Sequence, residues 1–362
     1  MKQQILDSLA ALVACDTQNP PREICADSDL FQLIRDQLGT EFRFQVQDFG
    51  LGRVNLLATR GDSQRLFNVH LDTVPIGDPE AWTRPPLELT VESERVFGRG
   101  VCDIKGAAAC SIAAAKSVTA DVAILFSTDE EGAESCCIRE FCDSDLFAPF
   151  HQVVVAEPTG CQAVVGHRGY LSVSMEFTGT AGHTSQFDLL GESANHRAAE
   201  WVGQALQRVR DFETGTLNGQ SACFNVGRIE GGIKNNMVAD HCLVTWSVRL
   251  PAGFDNQLLL DLLCHDTPDY LTWKTTFGGA PLPVKMELCE LSRQWCQQYD
   301  LEVGDDVDFW TEAAIFAHAA NSQKPTIVLG PGDIAQAHTV DEWVAMEQLT
   351  KVAELYARLM SS

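Results

Sequence analysis

Three nearly continuous apolar runs along this chain each lead straight into acidic or histidine residues. Leu66–Val69 ends at His70, Asp121–Ser127 ends just before Glu130 and Glu131, and Val153–Ala156 ends at Glu157. Runs this short and this apolar, without strict alternation, read as strands buried on both faces, the kind found in a mostly parallel sheet covered by helices. In an open α/β sheet, sites form in the crevice at the carboxyl ends of the strands. Three strand ends therefore present histidine and carboxylate groups to one crevice.

Five stretches supply such groups: His70-Leu71-Asp72, Cys102-Asp103-Ile104-Lys105-Gly106, Asp129-Glu130-Glu131-Gly132, Ala156-Glu157-Pro158-Thr159 and Ala337-His338-Thr339. Together they offer two histidines, three carboxylate ligands and one spare carboxylate. That set suffices for two divalent metals joined by a carboxylate, with a base left to activate water. Taken singly, each has a plainer reading. The His70/Asp72 pair is also a surface pair, Asp103 also an N-cap for the alanine-rich helix that follows, and Asp129–Glu131 also an acidic loop. His70 and Asp72, two apart on a strand, share a face, and Asp72 is placed to orient the imidazole. Glu130 and Glu131, adjacent on an extended segment, point to different sides, so that one binds metal while the other reaches water.

At 362 residues the chain is long for a single core, and two domains are expected. Helical spacing at Ile5–Val13 and Asp27–Leu38 is followed by strand-like runs at Phe42–Val46, Asn55–Ala58 and Leu66–His70, and a helix is expected at Lys105–Val118. Beyond His167 the texture changes. Tyr170–Phe177 alternates Leu171, Val173, Met175 and Phe177 with polar residues, as a strand with one wet face does. A helix at Ser193–Arg210, strands at Ala222–Ile229 and Met237–Val248, a helix at Phe254–Cys264 and a strand at Tyr270–Phe277 complete a β-α-β-β-α-β order, that of a ferredoxin-like α+β unit. The sheet texture resumes with a helix at Val284–Tyr299 and a strand at Thr326–Leu329, and a helix at Val344–Met360 closes the chain. The predicted fold is thus α/β, a mixed, mostly parallel sheet with helices on both faces, formed by 1–167 and 280–362, with a ferredoxin-like domain inserted at 168–279.

The net charge of −24, from 26 basic and 50 acidic residues, disfavours nucleic acid and anionic membranes as partners. The start of the chain lacks the basic-then-apolar pattern of a signal peptide, and a cytoplasmic location is expected. The thirteen cysteines form no paired CxxC clusters and read as free thiols.

The five stretches, together with His167-Arg168-Gly169, Gly182-His183-Thr184-Ser185, Gly231-Gly232 and Gly330-Pro331-Gly332, resemble the acetylornithine deacetylase and succinyl-diaminopimelate desuccinylase family of co-catalytic zinc hydrolases, over essentially the whole chain. The resemblance implies a zinc aminopeptidase-like catalytic domain and an inserted lid and dimerisation domain, hence a homodimer. It implies that His70 and Glu157 bind one metal, Glu131 and His338 the second, and that Asp103 bridges both. The metals would be zinc, with cobalt and manganese also suited to these ligands. Asp72 would orient His70, Glu130 would be the base and later the acid, and the Asp103–Ile104 peptide would be cis. His183 would donate to the oxyanion across the dimer, and Asn236 and Arg249 would hold the substrate carboxylate, with Lys234 adding charge nearby. Gly100–Ala108, Asp308–Ala313 and Gly332–His338 look closest to acetylornithine and acetylcitrulline deacetylases. The expected reaction is removal of the acetyl group from N-acetyl-L-ornithine in arginine biosynthesis, with N-acetyl-L-citrulline as the alternative substrate and a dipeptidase or other aminoacylase as a further one. The chain departs from the family pattern at Leu71 and at Cys102, both beside ligands.

Overall fold

The apolar runs form strands in the computed structural model, which describes every residue except 22–23, 133–135, 218, 266, 284–285, 320–323 and 362. The first stretch of chain contains α1 (Lys2–Ala14), α2 (Asp29–Leu38), β1 (Arg43–Asp48), β2 (Val54–Arg60), β3 (Arg65–His70), β4 (Thr90–Glu92), β5 (Arg95–Phe97), α3 (Lys105–Ser117), β6 (Val122–Ser127), α4 (Cys136–Asp143) and β7 (Gln152–Val155). The middle contains β8 (Tyr170–Thr178), β9 (Gly182–His183), α5 (Ala194–Gly215), β10 (Asn225–Gly231), β11 (Met237–Val238), β12 (His241–Val248), α6 (Gln257–Cys264) and β13 (Leu271–Gly279). The chain ends with α7 (Met286–Gln298), α8 (Ala313–His318), β14 (Thr326–Val328), β15 (Trp343–Ala345) and α9 (Met346–Met360). It divides into two compact units. One comprises Met1–Val165, Lys285–Asp306 and Thr311–Ser362, the other Gly166–Val284 and Val307–Trp310. The short return of Val307–Trp310 to the second unit has no counterpart in the sequence reading.

In the first unit six strands lie in the order β1-β2-β6-β3-β7-β14. β6, β3, β7 and β14 run parallel, while β2 and β1 extend the sheet antiparallel. The period of two along each strand separates the two faces. Leu56, Ala58, Phe67, Val69, Ile124, Phe126 and Val154 join one core with the apolar sides of α1, α2, α3 and α9. Their neighbours Leu57, Leu66, Leu125 and Val153 are equally buried but lie outside that core. Asn55, on this other face, donates to the Cys137 carbonyl of α4 (2.8 Å), so α4 covers the side opposite α3. Burial on both faces is why these strands read as continuous apolar runs. Their register matters for the site: β3 and β6 end level, His70 opposite Ser127, and β7 ends opposite Asn68, two residues earlier, so the three carboxyl ends lie at one edge of the sheet.

A small second sheet, β15-β5-β4, was not foreseen. Its strand Trp343–Ala345 takes Val344 and Ala345 from the expected helix Val344–Met360, because these residues pair with Arg95–Phe97.

The inserted unit is a four-stranded antiparallel sheet in the order β10-β12-β8-β13, with α5 and α6 contributing to one core. Leu171, Val173, Met175 and Phe177 of β8 face that core with Val244, Trp246, Ala198 and Val209. This is the ferredoxin-like arrangement. The expected strand Met237–Val248 is interrupted. The Asp240 carbonyl accepts from the Gly179 N–H and the Ala239 carbonyl from the Ala194 N–H (both 2.8 Å), so Met237–Val238 leaves the sheet and pairs with β9. Among the described residues no helix is long and apolar enough to cross a membrane, and no disulfide joins their cysteines.

Candidate metal centre

The strand ends bring the acidic residues and histidines into two groups with one member in common. His70, Asp103 and Glu157 form the first, and Asp103, Glu131 and His338 the second. In the first, His70 Nε2 lies 3.2 Å from Asp103 Oδ1 and 3.9 Å from Glu157 Oε1. In the second, His338 Nε2 lies 3.2 Å from Asp103 Oδ2 and 3.1 Å from Glu131 Oε1. The two oxygens of Asp103 are therefore divided, one facing each group.

Local structure explains each placement. His70 is the last residue of β3, and its Nδ1 contacts the Asp72 carbonyl (3.0 Å) and lies 3.5 Å from the Asp72 carboxylate. The other Asp72 oxygen accepts from the Glu131 N–H (2.9 Å) and from Asn19 Nδ2 (3.1 Å). Asp72 thus fixes a member of each group. The Val74 N–H also donates to Glu131 Oε1 (3.3 Å). Asp103 precedes α3, and its peptide bond to Ile104 is cis. Glu157 follows β7 on a loop pressed against Gly330, where a β-carbon would come 2.4 Å from the Glu157 carbonyl oxygen. His338 has positive φ (60°) and follows the turn at 330–332. Cys102 is buried, with Sγ on the Asp333 carbonyl (3.4 Å), and a β-carbon on Gly332 would come 2.5 Å from that sulfur. Leu71 is wholly buried in the core. Both departures from the family pattern are absorbed by packing.

Electrostatics test whether cations fit. Burial, the repulsion of Glu131, Asp103 and Asp72 and an opposing contribution from His70 leave Glu130 pushed up to about 8. Burial likewise raises Glu131 and Glu157, Asp103 adding to it in both. Burial works against a charge on His70, but Asp103, Asp72, Glu157 and Glu130 outweigh it and hold its pKa well above the ordinary value. Asp103 and Glu131 raise His338 to about 10. Burial also opposes the charge on Asp103, yet His338 and His70 hold its carboxyl below the usual range. His70 Nε2 and Asp103 Oδ1 are buried without an aligned hydrogen-bond partner. Carboxylates this crowded repel one another until cations join them, and imidazole with carboxylate suits zinc and its neighbours. The residues fit a pair of divalent metals.

Three residues around this centre have no local signal in the sequence. Asn19 ties Asp72 to the Thr128 carbonyl. Glu312 is buried, its Oε1 without a partner among the described residues, and burial with Asp129 and Glu130 holds its carboxyl well above the usual range. Glu342 is wholly buried and accepts from the backbone of the Asp103 loop. Their partners lie tens to hundreds of positions away, and of the three only Glu312 lies in a block that carries the family resemblance, Asp308–Ala313.

The other expected site residues belong to the inserted unit. His183 ends β9, is exposed, and pairs its Nδ1 with Ser185 Oγ (2.8 Å). Asn236 is exposed, with its carbonyl accepting from the Thr184 N–H (3.4 Å). Arg249 is half-buried, donates to the Asp308 carbonyl (3.4 Å) and stacks over Tyr170 (4.6 Å). Lys234 is exposed in the loop between β10 and β11.

A parallel sheet whose strand ends carry two histidine–carboxylate groups around a shared aspartate is the arrangement of a metal-dependent hydrolase. Residues 66–362 match the model of peptidase family M20/M25/M40, and the chain belongs to that family. It is 42% identical to the N-acetyl-L-citrulline deacetylase of Xanthomonas campestris pv. campestris, over 98% of this chain and 97% of that one. It is 29% identical to the acetylornithine deacetylase of Photorhabdus laumondii subsp. laumondii, over 90% and 86%. Its fold matches the crystal structure of an M20 family metallo-carboxypeptidase from Sulfolobus solfataricus with a TM-score of 0.75, covering 99% and 98% of the chains at 14% identity.

Proposed function

We propose that this chain is a two-metal amidohydrolase that removes the acetyl group from an N-acetyl amino acid, with N-acetyl-L-citrulline as its substrate. The division of the two Asp103 oxygens between His70 and His338 supports the chemistry. The 42% identity to an N-acetyl-L-citrulline deacetylase across nearly the full length of both chains supports the substrate, ahead of the N-acetyl-L-ornithine expected from sequence. The 29% identity to an acetylornithine deacetylase keeps ornithine as the second reading.

His70, Asp103 and Glu157 would hold one divalent cation, and Asp103, Glu131 and His338 the other, with zinc as the metal. Bound there, such cations acidify water and polarise an acyl carbonyl. Glu130, held high by burial and neighbouring acids, takes the proton of the attacking water and returns it to the leaving nitrogen as the C–N bond breaks. Acetate and the free amino acid are the products. Asp72 keeps His70 in orientation. His183, contributed by a partner subunit in a homodimer, donates to the oxyanion. Arg249 and Asn236 hold the substrate carboxylate, the planar guanidinium matching it in geometry. A cytoplasmic location fits the free thiols.

The test is kcat/KM for N-acetyl-L-citrulline and N-acetyl-L-ornithine on zinc-loaded and chelated protein. The proposal expects about tenfold or greater preference for citrulline, lost on chelation, since a site built for a neutral polar group leaves groups unpaired with the wrong substrate. Preference for ornithine would overturn the substrate assignment. Turnover unchanged by chelation would overturn the chemistry.

A further inference from the structure

We infer that Glu342 is a positioning residue that sets Asp103 in register with His338 before any metal binds. The inference rests on the two-metal reading above. Glu342 is wholly buried and lies four positions after His338. It belongs to neither group of ligand residues.

Its carboxylate is filled from four directions. Oε1 accepts from the Cys102 N–H (2.8 Å) and the Asp103 N–H (3.0 Å). Oε2 accepts from the Gly100 N–H (3.0 Å) and from Arg99 Nη1 (2.7 Å). Its carbonyl accepts from the Gly98 N–H (3.1 Å). Residues 98–103 lie in neither helix nor strand, and this one side chain satisfies the amides of Gly100, Cys102 and Asp103, while those of Arg99 and Val101 donate to the Pro86 and Gly98 carbonyls. Arg99 supplies the countercharge, while donating to the Pro75 carbonyl and stacking over Trp82.

The grip acts on both ligands. Asp103 hangs directly from the clamped loop. His338 belongs to the segment that ends at Glu342, and the next residue, Trp343, pairs with Phe97 just before the loop begins. A change at Glu342 therefore moves the Asp103 oxygens relative to His338 Nε2, now 3.2 Å from Oδ2. The role requires a carboxylate. Four donors converge on two oxygens, and glutamine would turn an NH2 donor against one pair of them.

The experiment measures zinc affinity and stoichiometry by calorimetry, and the visible spectrum with cobalt, for wild type and Glu342→Gln, with thermal unfolding in parallel. The inference expects a folded variant with about 10–100-fold weaker binding and an altered cobalt spectrum, the scale seen when groups orienting ligands are removed. A folded variant of lowered melting temperature that keeps wild-type affinity and spectrum has only a structural Glu342, and overturns the inference. A wild type that takes up no metal pair overturns instead the two-metal reading beneath it. A second measurement needs no variant, namely hydrogen exchange of the peptide spanning 99–103 in metal-free wild type. Protection there supports a clamp preset without metal, and exchange at unprotected rates overturns it.

Discussion

The residues proposed for the chemistry are set in opposite ways in the two units of this molecule. In the first unit, His70, Asp103 and Glu157 are buried, and each expected metal-binding residue lies within 4 Å of another. In the inserted unit, His183 and Asn236 are exposed, and their contacts run to residues of their own surroundings. Buried, mutually repelling acids declare what they hold, because they stay ionised together only beside cations. Exposed polar groups do not, since water satisfies them equally well. The contrast implies that changes in the first unit disturb metal binding and chemistry together or separately, whereas changes in the second disturb catalysis alone.

The largest effect is expected at Glu130. Glu130→Gln removes the base but no ligand, and kcat should fall about 10²–10⁴-fold with two metals still bound by elemental analysis. Retained turnover would remove Glu130 from the mechanism. Next is His183→Ala, expected to lower kcat about 10²–10³-fold, as loss of an oxyanion donor does, with zinc affinity unchanged. Weakened zinc binding in this variant would break the contrast between the units. Asp72→Asn sharpens it from the other side. Asp72 touches His70 and the Glu131 amide, so zinc should bind about 10–100-fold more weakly.

The smallest effect concerns pH. In the metal-free protein Glu130 is raised to about 8 and His338 to about 10. Both hold a proton more tightly folded than unfolded. Their contribution to stability is complete below the unfolded values of about 4.3 and 6.5 and is lost as pH rises through the folded ones. Asp103, lowered, acts in the opposite sense, its contribution lost only as pH falls into the acid range. Metal-free protein should therefore melt at lower temperature at about pH 9 than at about pH 6, and metal-loaded protein, whose ligands are already deprotonated, should show a smaller drop. Equal slopes for the two forms would contradict the assignment of these groups.

Much of the first unit was readable because its information is local. Apolar strands end on the residues that matter, and a strand end in a parallel sheet is a fixed position. The β-α-β-β-α-β order likewise follows from alternation in Tyr170–Phe177 and from helical spacing around it. What escaped depends on distant pairing. The interruption at Ala239–Asp240 comes from carbonyls taken by Ala194 and Gly179. β15 exists because Trp343 meets Phe97. Asn19, Glu312 and Glu342 are single polar residues whose partners no window along the chain contains.

The central claim is that Asp103 joins two metals in one hydrolytic site. It is tested most directly by adding zinc stepwise to metal-free protein while following acetate release from N-acetyl-L-citrulline. The account predicts that activity is absent without metal and reaches its plateau at two equivalents per chain. A plateau at one equivalent, or full activity with none, would contradict it.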